Sequence, residues 1–171
     1  GGVAPGGRLA WIGWNAVRLL ELLLAGAKSG AVVCPVNWRS SEAELVFILG
    51  DLDPAVVVWQ AQDVGETALA AREAGGATNA RWLQHDVDAS DESVAGSYES
   101  LVAAGAPDDP DIAGHGDDPV LAMDTAAVEG TPNATLWSHN SLTVRHRVKG
   151  RMQPRPAQKV FPHPGALIPD T

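Results

Sequence analysis

Short runs of β-branched and apolar residues alternate with stretches of helical periodicity along the first two thirds of the chain, and this alternation restricts the fold most. Arg8 to Gly13, Ala31 to Val36, Ala55 to Trp59, Ala80 to Gln84 and Pro119 to Met123 read as short strands bounded by Gly, Pro or polar turns. Between the first two, Asn15 is placed to cap a helix whose apolar positions Val17, Leu20, Leu24 and Ala27 recur at helical spacing up to Gly30. Ser41 and Glu44 form a Ser-x-x-Glu capping box, opening a helix through Leu45, Ile48 and Leu49 that must close before Pro54. Glu66 to Ala74, ending at Gly75-Gly76, and Tyr98 to Ala104 complete the helical segments, with polar loops at Asp86 to Gly96 and Pro107 to Asp118. Strands separated by helices pair in parallel through crossovers, so the expected class is α/β with a mostly parallel sheet holding the first three strands together. No internal repeat of fixed period is evident.

Composition narrows the function classes. Glycine (18) and proline (12) make 30 of 171 residues, which favours many turns and excludes a bundle of long helices. Twelve basic residues against twenty-one acidic leave a formal charge of −9, so the chain repels phosphate backbones and anionic lipid, and no nucleic-acid partner is expected. The longest nearly apolar run, Leu19 to Ala27, is broken by Glu21 and falls far short of the ~20 residues a membrane span needs. Cys34 is the one cysteine, which fits a reducing compartment, and a cytoplasmic location is expected. The chain opens Gly1-Gly2 without a basic or apolar leader and reads as a piece of something longer.

Charge also marks a boundary. No Lys or Arg lies between Arg81 and Arg145, whereas Arg145, Arg147, Lys149, Arg151, Arg155 and Lys159 are half of the basic residues. Pro154, Pro156, Pro162, Pro164 and Pro169 follow in the same stretch, so residues 143–171 are expected to form an irregular basic tail behind a domain of residues 1–142. A composition change this sharp is what a shifted reading frame would produce.

Two blocks carry chemistry. The first is Leu24-Ala25-Gly26-Ala27-Lys28-Ser29-Gly30-Ala31-Val32-Val33-Cys34-Pro35-Val36-Asn37-Trp38-Arg39 with Ser41-Glu42-Ala43-Glu44-Leu45, preceded by Gly2 to Ala10. The second is Met123-Asp124-Thr125-Ala126-Ala127-Val128-Glu129-Gly130-Thr131-Pro132-Asn133-Ala134, followed by Thr135-Leu136-Trp137-Ser138-His139-Asn140-Ser141-Leu142. Both resemble the large N-terminal domain of AMP-forming acyl-CoA synthetases, the adenylate-forming superfamily, over roughly Gly1 to Leu142. In that family the second block is a strand, a loop of the form Tyr-Thr-Ser-Gly-Thr-Thr-Gly-x-Pro-Lys-Gly, a strand and a Ser-His-x-x-Leu helix start. The family loop binds ATP phosphates because hydroxyls, backbone N–H groups and a lysine charge surround the anion.

The resemblance thus implies a nucleotide-phosphate loop at Thr125, Ala126, Ala127, Val128, Glu129, Gly130, Thr131, Pro132 and Asn133. Thr125, Gly130 and Pro132 keep the pattern, and Thr125 to Val128 is similar to a subfamily form of the loop. Glu129 sets a carboxylate where phosphate would lie, and Asn133 stands for the lysine, so charge-assisted contacts worth ~1.5 to 3 kcal/mol each are lost. By resemblance the parent enzyme activates a carboxylic acid, of the fatty-acid class, with ATP and Mg2+ as an acyl-adenylate and passes it to CoA. The isolated chain is expected to be inactive, because the family's later motifs lie beyond Leu142. The other reading is a non-catalytic α/β domain, degenerate or a small binding module.

The remaining candidates have ordinary explanations. Asp86-x-Asp88-x-Ser90 superficially matches a calcium loop, yet Asp91 holds the required glycine position and Ser97 the bidentate glutamate position. His85, His115, His139, His146 and His163 lack metal-ligand spacing and are expected at the surface or at caps, so no metal site is assigned. Trp11, Trp14, Trp38, Trp59, Trp82 and Trp137 fall mostly on strands or their ends, where burying aromatic area is their usual role.

Overall fold

Strands that are apolar on both sides can only be buried on both sides, and three such strands make the centre of the sheet. The computed structural model describes residues 3–87, 96–107, 112, 114–124 and 134–152. In it β1 (Arg8–Ile12) pairs in parallel with β2 (Val32–Val36) on one flank and β3 (Val56–Trp59) on the other. Beyond β3 lies β4 (Arg81–Gln84), again parallel, and beyond β2 lies β5 (Pro119–Asp124), joined through Val33 and Leu121. The antiparallel β6 (Ala134–Ser138) closes the order β4-β3-β1-β2-β5-β6.

Alternation of side chains along β1 divides the core in two. Ala10 and Ile12 face one layer with Cys34, Val36, Val57 and Trp59, covered by α2 (Glu42–Leu52) and α3 (Gly65–Glu73) through Leu45, Ile48, Leu49, Ala68 and Ala71. Leu9 and Trp11 face the other with Val33, Val58 and Leu83, covered by α1 (Val17–Ser29) through Leu19 and Leu22 and by α4 (Tyr98–Ala103) through Tyr98. Cys34 is a buried core residue.

Helix ends follow local chemistry where the chemistry is strong. Ser41 accepts from the Glu44 backbone N–H, and the Glu44 carboxylate accepts from the Ser41 N–H at 2.8 Å, so the expected capping box forms. Asp53, left-handed at φ 43°, then ends α2 directly before Pro54. The Ser41 backbone and hydroxyl donors hold the Glu44 carboxyl below its ordinary 4.5. Its contribution is therefore complete above about pH 4.5 and is lost as pH falls through the lowered value.

Three expectations are corrected. The N-cap of α1 is Ala16, which makes no side-chain cap bond, and Asn15 is exposed. The buried ridge of that helix is Leu19, Leu22 and Gly26, while Val17, Leu20 and Leu24 are 74%, 54% and 59% exposed. Gly26 explains the choice: a Cβ there would come within 2.6 Å of Val33 Cγ2, so the helix seats closely on β2 at the one position of that ridge without a side chain. Second, His85 is buried at 3% exposure instead of lying at the surface, because it stacks against Trp11 at 4.2 Å. Third, α5 (His139–Met152) carries Thr143 to Met152, part of the stretch expected to be irregular, as helix. No proline falls within it, and its cations are at ordinary helical positions with Val144, Arg145, Arg147 and Lys149 exposed.

Two mutational outcomes follow from these caps and ridges. Ser41→Ala costs about 1 kcal/mol, whereas Asn15→Ala stays within about 0.5 kcal/mol, since only the first residue bonds orphan helix donors. Leu49→Ala, truncating a fully buried side chain between α2 and β1, costs about 2 to 5 kcal/mol. Urea denaturation of the three variants against wild type measures each difference.

Candidate functional site

In an open parallel sheet, side chains and loops that meet a ligand collect at the carboxyl ends of the strands, where successive crossovers leave for opposite faces. Here the chain after β1 turns to α1 on one face, and the chains after β2 and β3 turn to α2 and α3 on the other. The carboxyl edge therefore gathers Gly13 and Trp14 after β1, Asn37 to Arg39 after β2, Gln60 after β3, His85 and Asp86 after β4, and the chain leaving β5 at Asp124.

That last exit is where the expected phosphate loop begins. β5 and β6 pair from Pro119↔Ser138 to Asp124↔Ala134, with an irregularity between Pro119 and Leu121. Asp124 and Ala134 thus bracket residues 125–133 with two paired strand ends at the carboxyl edge, and the expected strand, second strand and following helix are present. Thr125, Ala126, Ala127, Val128, Glu129, Gly130, Thr131, Pro132 and Asn133, every residue assigned to the loop from sequence, lie outside the described residues.

The Ser-His-x-x-Leu segment is placed away from that edge. Because β6 runs back along β5, Ser138 ends four residue steps from Ala134, roughly 13 Å along the strand. There the Ser138 hydroxyl accepts from the Ser141 N–H at 3.2 Å, and Asn140 is tied to the approach of β5 through its N–H to the Gly116 carbonyl at 2.8 Å and its amide to Asp117 Oδ1 at 3.0 Å. Ser138 and His139 start a helix and brace the hairpin. They do not reach the loop's end of it.

The described part of the carboxyl edge is aromatic and polar. Trp14, 48% exposed, lies 5.5 Å from Trp38 with the rings tilted by 48°, and the Arg39 guanidinium sits 4.7 Å from the centre of the Trp38 ring. Further along, the Trp11 indole N–H is shared between the Gly13 and Trp14 carbonyls, and the Trp14 N–H donates to Gln60 Oε1 at 3.1 Å. The Asp86 carboxylate accepts from the Ala61 and Gln62 N–H groups and from the Gln84 amide. These donors lower its pKa below 3.8 although burial opposes them. The sequence, which places the tryptophans mostly on strands or their ends, gives neither Gln60 nor the pairing of Trp14 with Trp38. The contiguous Asn37-Trp38-Arg39 was the available signal. Among the described residues no group of His, Cys, Asp or Glu could hold a metal ion, and no helix is long and apolar enough to cross a membrane.

Comparison with known proteins agrees with this geometry. Over 142 residues the chain is 30% identical to the long-chain-fatty-acid–CoA ligase FadD13 of Mycobacterium tuberculosis, covering 82% of this chain and 26% of that protein. It is 32% identical over 142 residues to the feruloyl-CoA synthase of an Amycolatopsis species, covering 83% of this chain and 25% of the relative. The chain thus spans about a quarter of the length of these curated relatives. A solved structure of the N-terminal domain of FACL13 from Mycobacterium tuberculosis superposes with a TM-score of 0.68 at 28% identity, over 83% of this chain and 33% of that one. With the pattern of the AMP-binding enzymes matched across residues 1–164, nearly the whole chain, this protein belongs to the AMP-binding enzyme family.

Proposed function

We propose that the chain supplies the front part of an ATP-dependent ligase that joins a carboxylic acid to CoA through an acyl-adenylate, acting in the cytoplasm on an acid of the fatty-acid class. The observation that carries this reading is the hairpin. Asp124 and Ala134 pair at the carboxyl edge of the parallel sheet, the edge where such folds take their ligands, and they bracket the segment that resembles a phosphate loop. The ligase names of relatives that match over 142 residues support it.

The donor set of Thr125 to Asn133 fits a nucleotide triphosphate poorly. Thr125 and Thr131 offer hydroxyls and Gly130 an unhindered N–H, but no cation lies between Asp124 and Ala134, and Glu129 adds an anion. Magnesium has no ligand set among the described residues. The chain's own residues therefore bind nucleotide weakly and complete no chemical step by themselves. The intact ligase would draw Mg2+, the acid and CoA to groups supplied elsewhere. The same deficits favour one second reading, a non-catalytic α/β domain that has lost the parent's activity.

Isothermal titration with ATP and magnesium, beside exchange of labelled pyrophosphate into ATP, tests the proposal. The double substitution Glu129→Thr and Asn133→Lys should tighten ATP binding at least ~10-fold, because it removes one like charge and restores one charge-assisted contact. Neither protein alone should catalyse exchange. Unchanged binding in the double variant would assign the hairpin to the non-catalytic reading, and exchange above a heat-killed control would overturn the claim that the chain completes no step.

A further inference from the structure

We propose that neutral His85 is a pH-sensitive latch at the carboxyl edge, holding together the turns that follow β1, β3 and β4 and releasing them when its ring is protonated. The imidazole is 3% exposed, lies nearly parallel to the Trp11 indole at 4.2 Å, and neither Nδ1 nor Nε2 has a hydrogen-bond partner among the described residues. Above it, Gly13 leaves the space the ring needs: a Cβ on that residue would stand 2.9 Å from His85 Nε2, 3.0 Å from Gln60 Cβ and 3.1 Å from Gln60 Oε1. The ring is therefore wedged where three chain segments meet.

Among the described residues, side chains around the wedge join those segments, in addition to the backbone bonds from the Gln60 N–H to the Ile12 carbonyl and from the His85 N–H to the Trp59 carbonyl. Trp11, under the imidazole, ties the first turn through its indole N–H to the Gly13 and Trp14 carbonyls. Gln60 ties the first turn to the second, accepting from the Trp14 N–H and donating to the Gln62 carbonyl at 2.9 Å. Asp86, next to the histidine, ties the third to the second by accepting from Ala61 and Gln62. An imidazolium in this place would carry a charge and two N–H donors out of reach of water, a cost that attraction to the indole face offsets only in part, and it would have to move toward water.

The ionisable surroundings agree. β1 and β3 present no charged group to the ring, offering Trp11, Gly13 and Gln60. Asp86 favours the protonated form, and Arg18 of α1, itself paired with Glu99 of α4, opposes it. Burial is the largest influence and, with Arg18, outweighs Asp86 and the histidine's own backbone, holding the imidazole below its ordinary 6.5. A base with a depressed folded-state pKa binds its proton better when unfolded. Stability is then full above about pH 6.5 and declines as pH falls from there toward the depressed value.

The test uses the full chain with His85→Gln and His85→Phe. Between pH 7.5 and 5.5 the folding equilibrium constant of wild type should fall further than that of either variant, by at most about tenfold, the limit for one proton taken up on unfolding by a group of unfolded pKa 6.5. In wild type, an NMR titration should place the His85 ring below 6.5, and hydrogen exchange at the Trp14, Ala61 and Gln62 amides should accelerate across the same range. If the phenylalanine variant does not fold, the glutamine variant and the titration still decide. A His85 titrating at or above 6.5, equal pH dependence in wild type and variant, or amide protection that holds while His85 titrates would each overturn the latch.

Discussion

Everything in this molecule is arranged about one strand. β1 has parallel neighbours on both sides, with Leu9 paired to Val33 and Val56 and Ile12 paired to Val36 and Trp59, and its residues Leu9 to Ile12 are buried. Backbone donors in such a strand have no access to water, so both ladders must form together, and the helices that return the chain must cover both faces. The two core layers, the placement of α1 opposite α2 and α3, and the gathering of loop starts at the carboxyl edge are consequences of that constraint. The β5–β6 hairpin is an addition to the outer side of β2, and through it the segment that resembles a phosphate loop is joined to the rigid centre.

Local chemistry was legible in the sequence and long-range choice was not. Ser41 and Glu44 lie three residues apart and satisfy each other within one turn, so the start of α2 could be read from four residues, as could its end at Pro54. The apolar face of α1 could not. Leu19, Leu20, Leu22, Leu23 and Leu24 leave almost every direction apolar, and the seated ridge depends on Gly26 meeting Val33, a residue on another element. His85 is a similar case: its burial is built by Trp11, Gly13 and Gln60, which are 25 to 74 residues away in the chain, and no spacing around it announces this.

The candidate site divides along the same line. The two strands and the Ser-His helix start could be read because each piece is contiguous, and β5, β6 and α5 agree with it. The aromatic pair of Trp14 and Trp38 belongs to two loops that only the parallel pairing of β1 and β2 brings together. Residues 143–152 were misjudged because proline density beyond Met152 colours the whole basic stretch, whereas the first ten residues contain none and continue α5.

The proposed function rests on reading residues 125–133 as a phosphate loop weakened by Glu129 and Asn133, and a graft tests it most directly. Residues 1–142 would replace the matching segment of FadD13, once with the present loop and once with Glu129→Thr and Asn133→Lys, and acid-dependent pyrophosphate exchange would be measured for both. The account predicts that both chimeras fold and that the substituted loop exchanges at least ~10-fold faster, the effect of one charge-assisted contact at a phosphate. Equal rates in the two folded chimeras would contradict it, since the loop charges would then have no part in holding the nucleotide.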